Sequence, residues 1–165
     1  MIVAVVFFTS LLCLIPDTVS ESRVLMPDVG LTHIALPCVN LDASIGFYET
    51  FASMKVVHRR VDETEGVGVV WLTDHTRPFV LVLLESEKVE YPLRPDAHLG
   101  VACVSRDEVD RLCRLAEEQG RLLLGPKDSG PPVGYWALIE DPDGHTLEVA
   151  YGQEVAFTVD DSTHS

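Results

Sequence analysis

Three side chains carry most of the chemistry this sequence offers. They are His33 in Leu31-Thr-His-Ile-Ala-Leu-Pro-Cys38, His98 in His98-Leu-Gly-Val-Ala-Cys103, and Glu148 in Asp141-Pro-Asp-Gly-His-Thr-Leu-Glu-Val149. Two imidazoles and one carboxylate form a donor set for a divalent transition metal, with positions left open for substrate and for water or O2. One carboxylate against a doubly charged ion leaves the centre cationic, suited to a bidentate pair of anionic or enediolate oxygens. The three residues fall on three separate strands with no HExxH-like local motif. Spacing alone favours hydrogen-bonded structural residues over a metal site and, for Glu148, also allows an edge strand with one solvated face.

The elements that must position these side chains follow from periodicity. Leu31 to Val39 reads as a strand, and Asn40 or Asp42 caps a helix whose apolar positions Leu41, Ile45, Tyr48 and Phe51 recur at helical spacing. Strands follow at Lys55–Val61, Val67–Leu72 and Phe79–Glu85, and residues 86–96 read as a polar linker. The order then recurs. His98–Val104 is a strand, and Ser105-Arg-Asp-Glu108 is a capping box. The stripe Val109, Leu112, Cys113 and Ala116 marks a helix that Gly120 stops. Arg121–Leu124, Gly134–Ile139 and His145–Tyr151 complete the set, with a Gly/Pro loop over 125–132. The chain is thus βαβββ written twice, with His33 and His98 separated by 65 residues and Val67-Gly68 and Val133-Gly134 by 66. The expected fold is α+β, two βαβββ modules packed as pseudo-symmetric halves, so that His33 and His98 can be neighbours although distant in sequence.

Strand parity sorts the candidates. His33 shares a face with Ala35 and Pro37, His98 with Gly100 and Ala102, and Glu148 with Thr146 and Ala150. Such pared-down faces suit a cavity wall better than a packed core. The cysteines fall on the opposite parity, and Cys38 and Cys103 read as small buried hydrophobes. Of the four cysteines, Cys13 lies in the leader, and the remaining three form no CxxC pair. Neither a disulfide framework nor a zinc knuckle results, which leans toward a reducing compartment.

The formal net charge of -14 over 165 residues excludes a basic footprint, so nucleic acid and anionic membrane surfaces are not expected partners. Residues 1–25 form an apolar leader, too short to span a bilayer comfortably and lacking the Lys or Arg of a typical secretory signal. They read as an over-extended start, a cleaved signal or an anchor. Localisation is cytoplasmic on the first reading and secreted if the 1–20 leader works. A single domain is expected over 27–153, with module one at 30–86 and module two at 96–153, followed by a mobile acidic tail at 154–165.

The double βαβββ order, the strand-one histidines in LTHIALP and HLGVAC, the Phe47-Tyr48-Glu49 helix and the ending DPDGHTLEV resemble the vicinal oxygen chelate superfamily over about residues 30–153. That superfamily includes glyoxalases, extradiol dioxygenases, fosfomycin-modifying thiol transferases and methylmalonyl-CoA epimerases. The resemblance implies curved mixed sheets around a central metal cleft, a small-molecule substrate, and a metal held by His33, His98 and Glu148. A homodimer is allowed, since some relatives complete the site across two chains. Under the repeat offset Glu148 maps onto Val82, where glyoxalases carry a Glu; Glu85, three residues on, falls on the wrong parity. A site with two His and one Glu is most like a dioxygenase, with Fe(II) favoured. A glyoxalase-like lyase or isomerase, or a thiol transferase, using Mn, Ni, Zn or Co is the alternative, and a non-catalytic sequestering protein is the rival of another class. Tyr135 is the candidate for assisting proton transfer. Arg59, Arg60, Trp71, Trp136 and Gln153 are candidates for substrate contact, and the 127–132 loop for closure over the cavity.

Overall fold

The computed structural model describes residues 28–64 and 66–162; the leader lies outside the described residues. Module one opens with β1 (His33–Cys38), α1 (Leu41–Phe51), β2 (Lys55–Val61), β3 (Gly68–Thr73) and β4 (Val80–Glu85). Module two repeats the order with β5 (Leu99–Ala102), α2 (Arg106–Glu118), β6 (Leu122–Asp128), β7 (Tyr135–Glu140) and β8 (Thr146–Tyr151). The two four-stranded sheets have orders β1-β4-β3-β2 and β5-β8-β7-β6. In each, the first strand pairs in parallel with the fourth and the remaining pairs are antiparallel. The fold is α+β, two mixed sheets with two principal helices, as the repeat implied.

Local chemistry explains the helices. The Asn40 side chain accepts from Ala43 N–H at 2.9 Å and starts α1. Ser105 accepts from Glu108 N–H at 3.2 Å, while the Glu108 carboxylate reaches one residue past the cap and accepts from Val104 N–H at 3.0 Å. The buried stripe of α2 is Val109, Leu112, Cys113 and Ala116. In α1, Leu41, Phe47, Tyr48 and Phe51 turn inward, with the Phe47 and Phe51 rings 4.8 Å apart. Both helices and the helix-facing residues of both sheets, including Leu81, Leu83, Leu147 and Val149, form one continuous core.

Two expectations change. The Gly/Pro stretch after Leu124 is strand: β6 runs on to Asp128, with irregular register between Leu122 and Lys127. Pro126 is tolerated because β6 is an edge strand, where a missing N–H breaks no ladder on the open side. Gly125 is required there, since a Cβ would come within 2.3 Å of Ala137 Cβ. The segment read as a tail carries a helix, α3 (Val155–Ser162), anchored where Glu154 N–H donates to the Pro132 carbonyl at 2.9 Å.

The modules are joined by the Asp141-Pro142-Asp143-Gly144-His145 turn. Tyr48 O–H donates to Asp141 at 3.0 Å, and Asp143 accepts from Val39 N–H at 2.9 Å and Ser44 O–H at 3.0 Å. His145, 1% exposed, lies with Nε2 2.9 Å from the Pro37 carbonyl and accepts from Leu93 N–H through Nδ1 at 3.0 Å. Desolvation raises the Asp141 carboxyl above its ordinary range, and burial next to Asp141 keeps the Tyr48 hydroxyl protonated. This turn clasps module two onto β1 and α1 of module one.

Candidate metal centre

The concave face of module two holds His98 and Glu148 in an open cavity of about 740 Å³. β8 presents Glu148 because alternation puts it with Thr146 on the cupped face, opposite Gly100 in the β5 register. His98 precedes β5, and its Nδ1 lies 3.1 Å from the Pro95 carbonyl. A carbonyl only accepts, so Nδ1 carries a proton and Nε2 of the neutral ring is a lone-pair donor. That nitrogen faces Glu148 Oε2 at 3.6 Å, with the two side chains 34% and 11% exposed. Two lone-pair atoms so placed call for a cation between them, either a proton on the ring or a metal ion. Ligands about 2.1 Å from a shared ion stand about 3–3.6 Å apart, so the donor pair fits one.

The other carboxylate oxygen, Oε1, accepts from the Gln153 side chain at 2.6 Å. Thr146, 1% exposed on the same wall, leaves its hydroxyl without a hydrogen-bond partner. Leu123, Leu124, Trp136 and Leu138 supply an apolar lining, and Arg94 stands at the edge, paired with Glu140 at 2.9 Å.

His33 stands apart. It is exposed on β1, with Nδ1 3.1 Å from Thr32 Oγ1, and lines a cavity of about 690 Å³ on the concave face of module one. The two cavities share no lining residue. Among the described residues no group of three His, Cys, Asp or Glu side chains gathers closely enough to hold an ion. One chain thus brings His98 and Glu148 together and leaves His33 on the other cup. The reason is the way the modules pack: a shared core of helices and helix-facing residues joins them, and each cup remains open.

Val82 lies opposite Ala35 in the β1–β4 register as Glu148 lies opposite Gly100 in β5–β8. It is 8% exposed and lines the module-one cavity, so the position equivalent to Glu148 is apolar. Glu85 accepts from Gly68 N–H at 3.0 Å and secures the start of β3.

A family model described as the Glyoxalase/Bleomycin resistance protein/Dioxygenase superfamily matches residues 30–149. The chain belongs to this superfamily. An uncharacterized protein of Pseudomonas aeruginosa is 40% identical over 126 residues, covering 74% of this chain and 89% of its own. A lactoylglutathione lyase of Neisseria meningitidis serogroup A is 32% identical over 124 residues, covering 72% of this chain and 87% of its own. Among solved structures, a variant of the fosfomycin resistance protein FosX from Listeria monocytogenes, complexed with Mn(II) and 1S,2S-dihydroxypropylphosphonic acid, aligns with a TM-score of 0.60. It is 18% identical, covers 81% of this chain and 99% of that chain, and bears on the fold alone.

Within this glyoxalase-superfamily domain the remaining candidates separate by face. Tyr135, expected to assist proton transfer, lines neither cavity: its hydroxyl donates to Asp110 on α2 at 2.6 Å, and the Arg106 guanidinium lies 4.6 Å from its ring. Alternation along β7 sends Trp136 and Leu138 into the cup and Tyr135 toward the helix. The hydrogen bond to Asp110 pushes its hydroxyl up to about 12, so it holds its proton. Arg59 pairs with Asp42 at 3.2 Å beside α1, while Arg60 and Trp71 line the module-one cavity with His75 and Arg77. Trp136 lines the module-two cavity and is held by Ser129 at 2.9 Å through its indole N–H. Sequence reasoning passed over Thr146 and Arg94. For Thr146 the signal was present, since it lies two residues from Glu148 on the same face.

Proposed function

We propose that this protein is a metal-dependent enzyme of the superfamily acting on a small molecule with neighbouring oxygens. His98 and Glu148 of one chain and His33 of a second copy would hold the ion. The observation that carries this reading is the 3.6 Å approach of His98 Nε2 to Glu148 Oε2, two donor atoms close enough to share one cation. A divalent ion bound there supplies Lewis-acid polarisation of the substrate oxygens.

The chain's own residues do the rest. The Pro95 carbonyl orients His98, and Gln153 holds one oxygen of Glu148. Leu123, Leu124 and Leu138 line the wall with apolar surface that a second copy would seal from water. A second copy is supported by what the cups leave uncovered: Trp71 and Leu84 on module one are 40% and 37% exposed, and Leu123, Leu124 and Val133 on module two 45%, 49% and 43%. Charge leans the same way, with Arg60 and Arg77 outnumbering Asp28 around one cavity and Asp96 and Glu148 outnumbering Arg94 around the other.

The 32% identity to a lactoylglutathione lyase favours lyase or isomerase chemistry. A second reading, dioxygen-dependent ring cleavage with Fe(II), is favoured by the single carboxylate that Val82 leaves in the donor set. Turnover tests with lactoylglutathione and with a catechol under air separate the two.

Subunit complementation tests the site. His33→Ala and Glu148→Ala proteins are each expected to purify with little transition metal. After mixing and subunit exchange, a heterodimer carries one intact and one doubly broken site, so metal binding returns to about a quarter of the wild-type value. A site built within one chain recovers nothing. A wild type that stays empty when grown with ample metals points to the sequestering protein.

A further inference from the structure

We infer that Gln153 is a positioning residue that makes Glu148 a one-oxygen metal donor. This rests on the metal reading of His98 and Glu148 and goes beyond it. An ionised carboxylate can only accept, so the Gln153 amide must present its NH2 to Glu148 Oε1, 2.6 Å away. The terminal torsion of a Glu side chain is broad and two-fold. Left alone, the Glu148 carboxylate could turn either oxygen, or both, toward His98. The Gln153 hydrogen bond occupies Oε1 and leaves Oε2 as the atom that faces His98 Nε2 at 3.6 Å. A hydrogen bond to an ionised acceptor in a pocket where the carboxylate is 11% exposed is strong enough to hold that plane.

The backbone is built to deliver this amide. Gln153 follows Gly152, whose φ is +79°, so the chain reverses directly after β8. The turn passes so close to Gly134 that a Cβ there would come within 2.4 Å of the Tyr151 carbonyl oxygen and 3.0 Å of Gln153 N. Beyond it, Glu154 N–H donates to the Pro132 carbonyl at 2.9 Å. Gln153 is therefore fixed on both sides, five residues from the ligand it holds, with its amide turned back onto the Glu148 carboxylate. Neither strand parity nor the metal-ligand pattern requires a Gln at this place, which is why it stands outside the donor set read from the sequence.

The test is a Co(II) titration of the full-length protein, followed through the visible absorption bands that report coordination, on wild type, Gln153→Leu and Gln153→Asn. Leu keeps the bulk and removes the donor; Asn keeps the amide but falls one methylene short. Both variants are expected to bind Co(II) about 10–100-fold more weakly, with altered band shape, while the metal-free melting temperature stays near wild type. Wild-type affinity and spectrum in both variants overturn the role of Gln153 and leave the metal centre standing. A wild type that binds no Co(II) removes the metal centre itself. If Gln153→Leu fails to fold, Gln153→Asn decides alone.

Discussion

Val82 occupies in module one the place that Glu148 occupies in module two: each lies on the fourth strand of its sheet, opposite the residue two positions after the first-strand histidine. The duplicated scaffold therefore presents two equivalent positions to the cups, and only one carries a charge. Val82→Glu would restore the symmetry. Its side chain would enter the module-one cavity beside His33. The expected outcome is divalent-metal affinity raised at least about tenfold, since a further oxygen donor joins the set. Metal-free stability should fall by about 1–3 kcal/mol, because the carboxylate replaces an 8% exposed Val. Calorimetric metal titration and urea unfolding of the apo-protein measure both; unchanged affinity separates Val82 from the site.

Thr146 has a buried hydroxyl with no partner. Thr146→Val has nearly the same shape and removes the unsatisfied group, which costs about 1–3 kcal/mol where it stands. The ligand-free variant should melt higher than wild type, by roughly 2–4 °C for each kcal/mol recovered at this chain length. Differential scanning calorimetry reads it directly. A lower melting temperature means the hydroxyl already has a partner in solution.

His145 ties the modules through the Pro37 carbonyl and Leu93 N–H while almost wholly buried. His145→Ala strands both backbone groups and opens a cavity, so a loss of about 3–5 kcal/mol is expected by urea denaturation. His145→Gln, able to keep one of the two bonds, should lose less. Equal losses for the two variants would show that packing rather than hydrogen bonding sets the cost.

Burial is the largest cause that pushes the Cys38 and Cys103 thiols up to about 11, from an ordinary 9.0. A raised folded value means that the native state binds more protons than the unfolded chain between pH 9 and 11. The stabilisation is complete below about 9 and is lost as pH rises through about 11. Urea midpoints should decline across that window, and Cys38→Ala should flatten the decline. Thiol titration at pH 8 should be slow until the protein unfolds. Rapid labelling of Cys38 under native conditions would contradict its burial.

Much of the architecture was legible before any coordinates. The repeat of βαβββ, the capped helices and the faces of His33, His98 and Glu148 follow from short-range rules: a helix buries every third or fourth residue, a strand alternates, and capping side chains satisfy the first N–H groups. The same rules put Thr146 beside Glu148 and Val82 in the equivalent place, because parity and repeat offset are properties of the chain itself.

Tertiary structure alone decided which of these faces meet. His33 and Glu148 share a parity pattern, yet their cups are separate cavities, since a core shared by both modules sets their relative placement. Alternation puts Tyr135 and Trp136 on opposite faces of β7, and packing decided that the Tyr135 face is the one that meets α2, with Asp110 as its acceptor. His145 reads locally as the first residue of a strand but lies against the Pro37 carbonyl, 108 positions away. Gln153 reaches Glu148 because the chain reverses at Gly152. Local periodicity dictates the face on which a side chain stands. What stands opposite depends on how much apolar surface each packing arrangement removes from water, and that is a property of the whole chain.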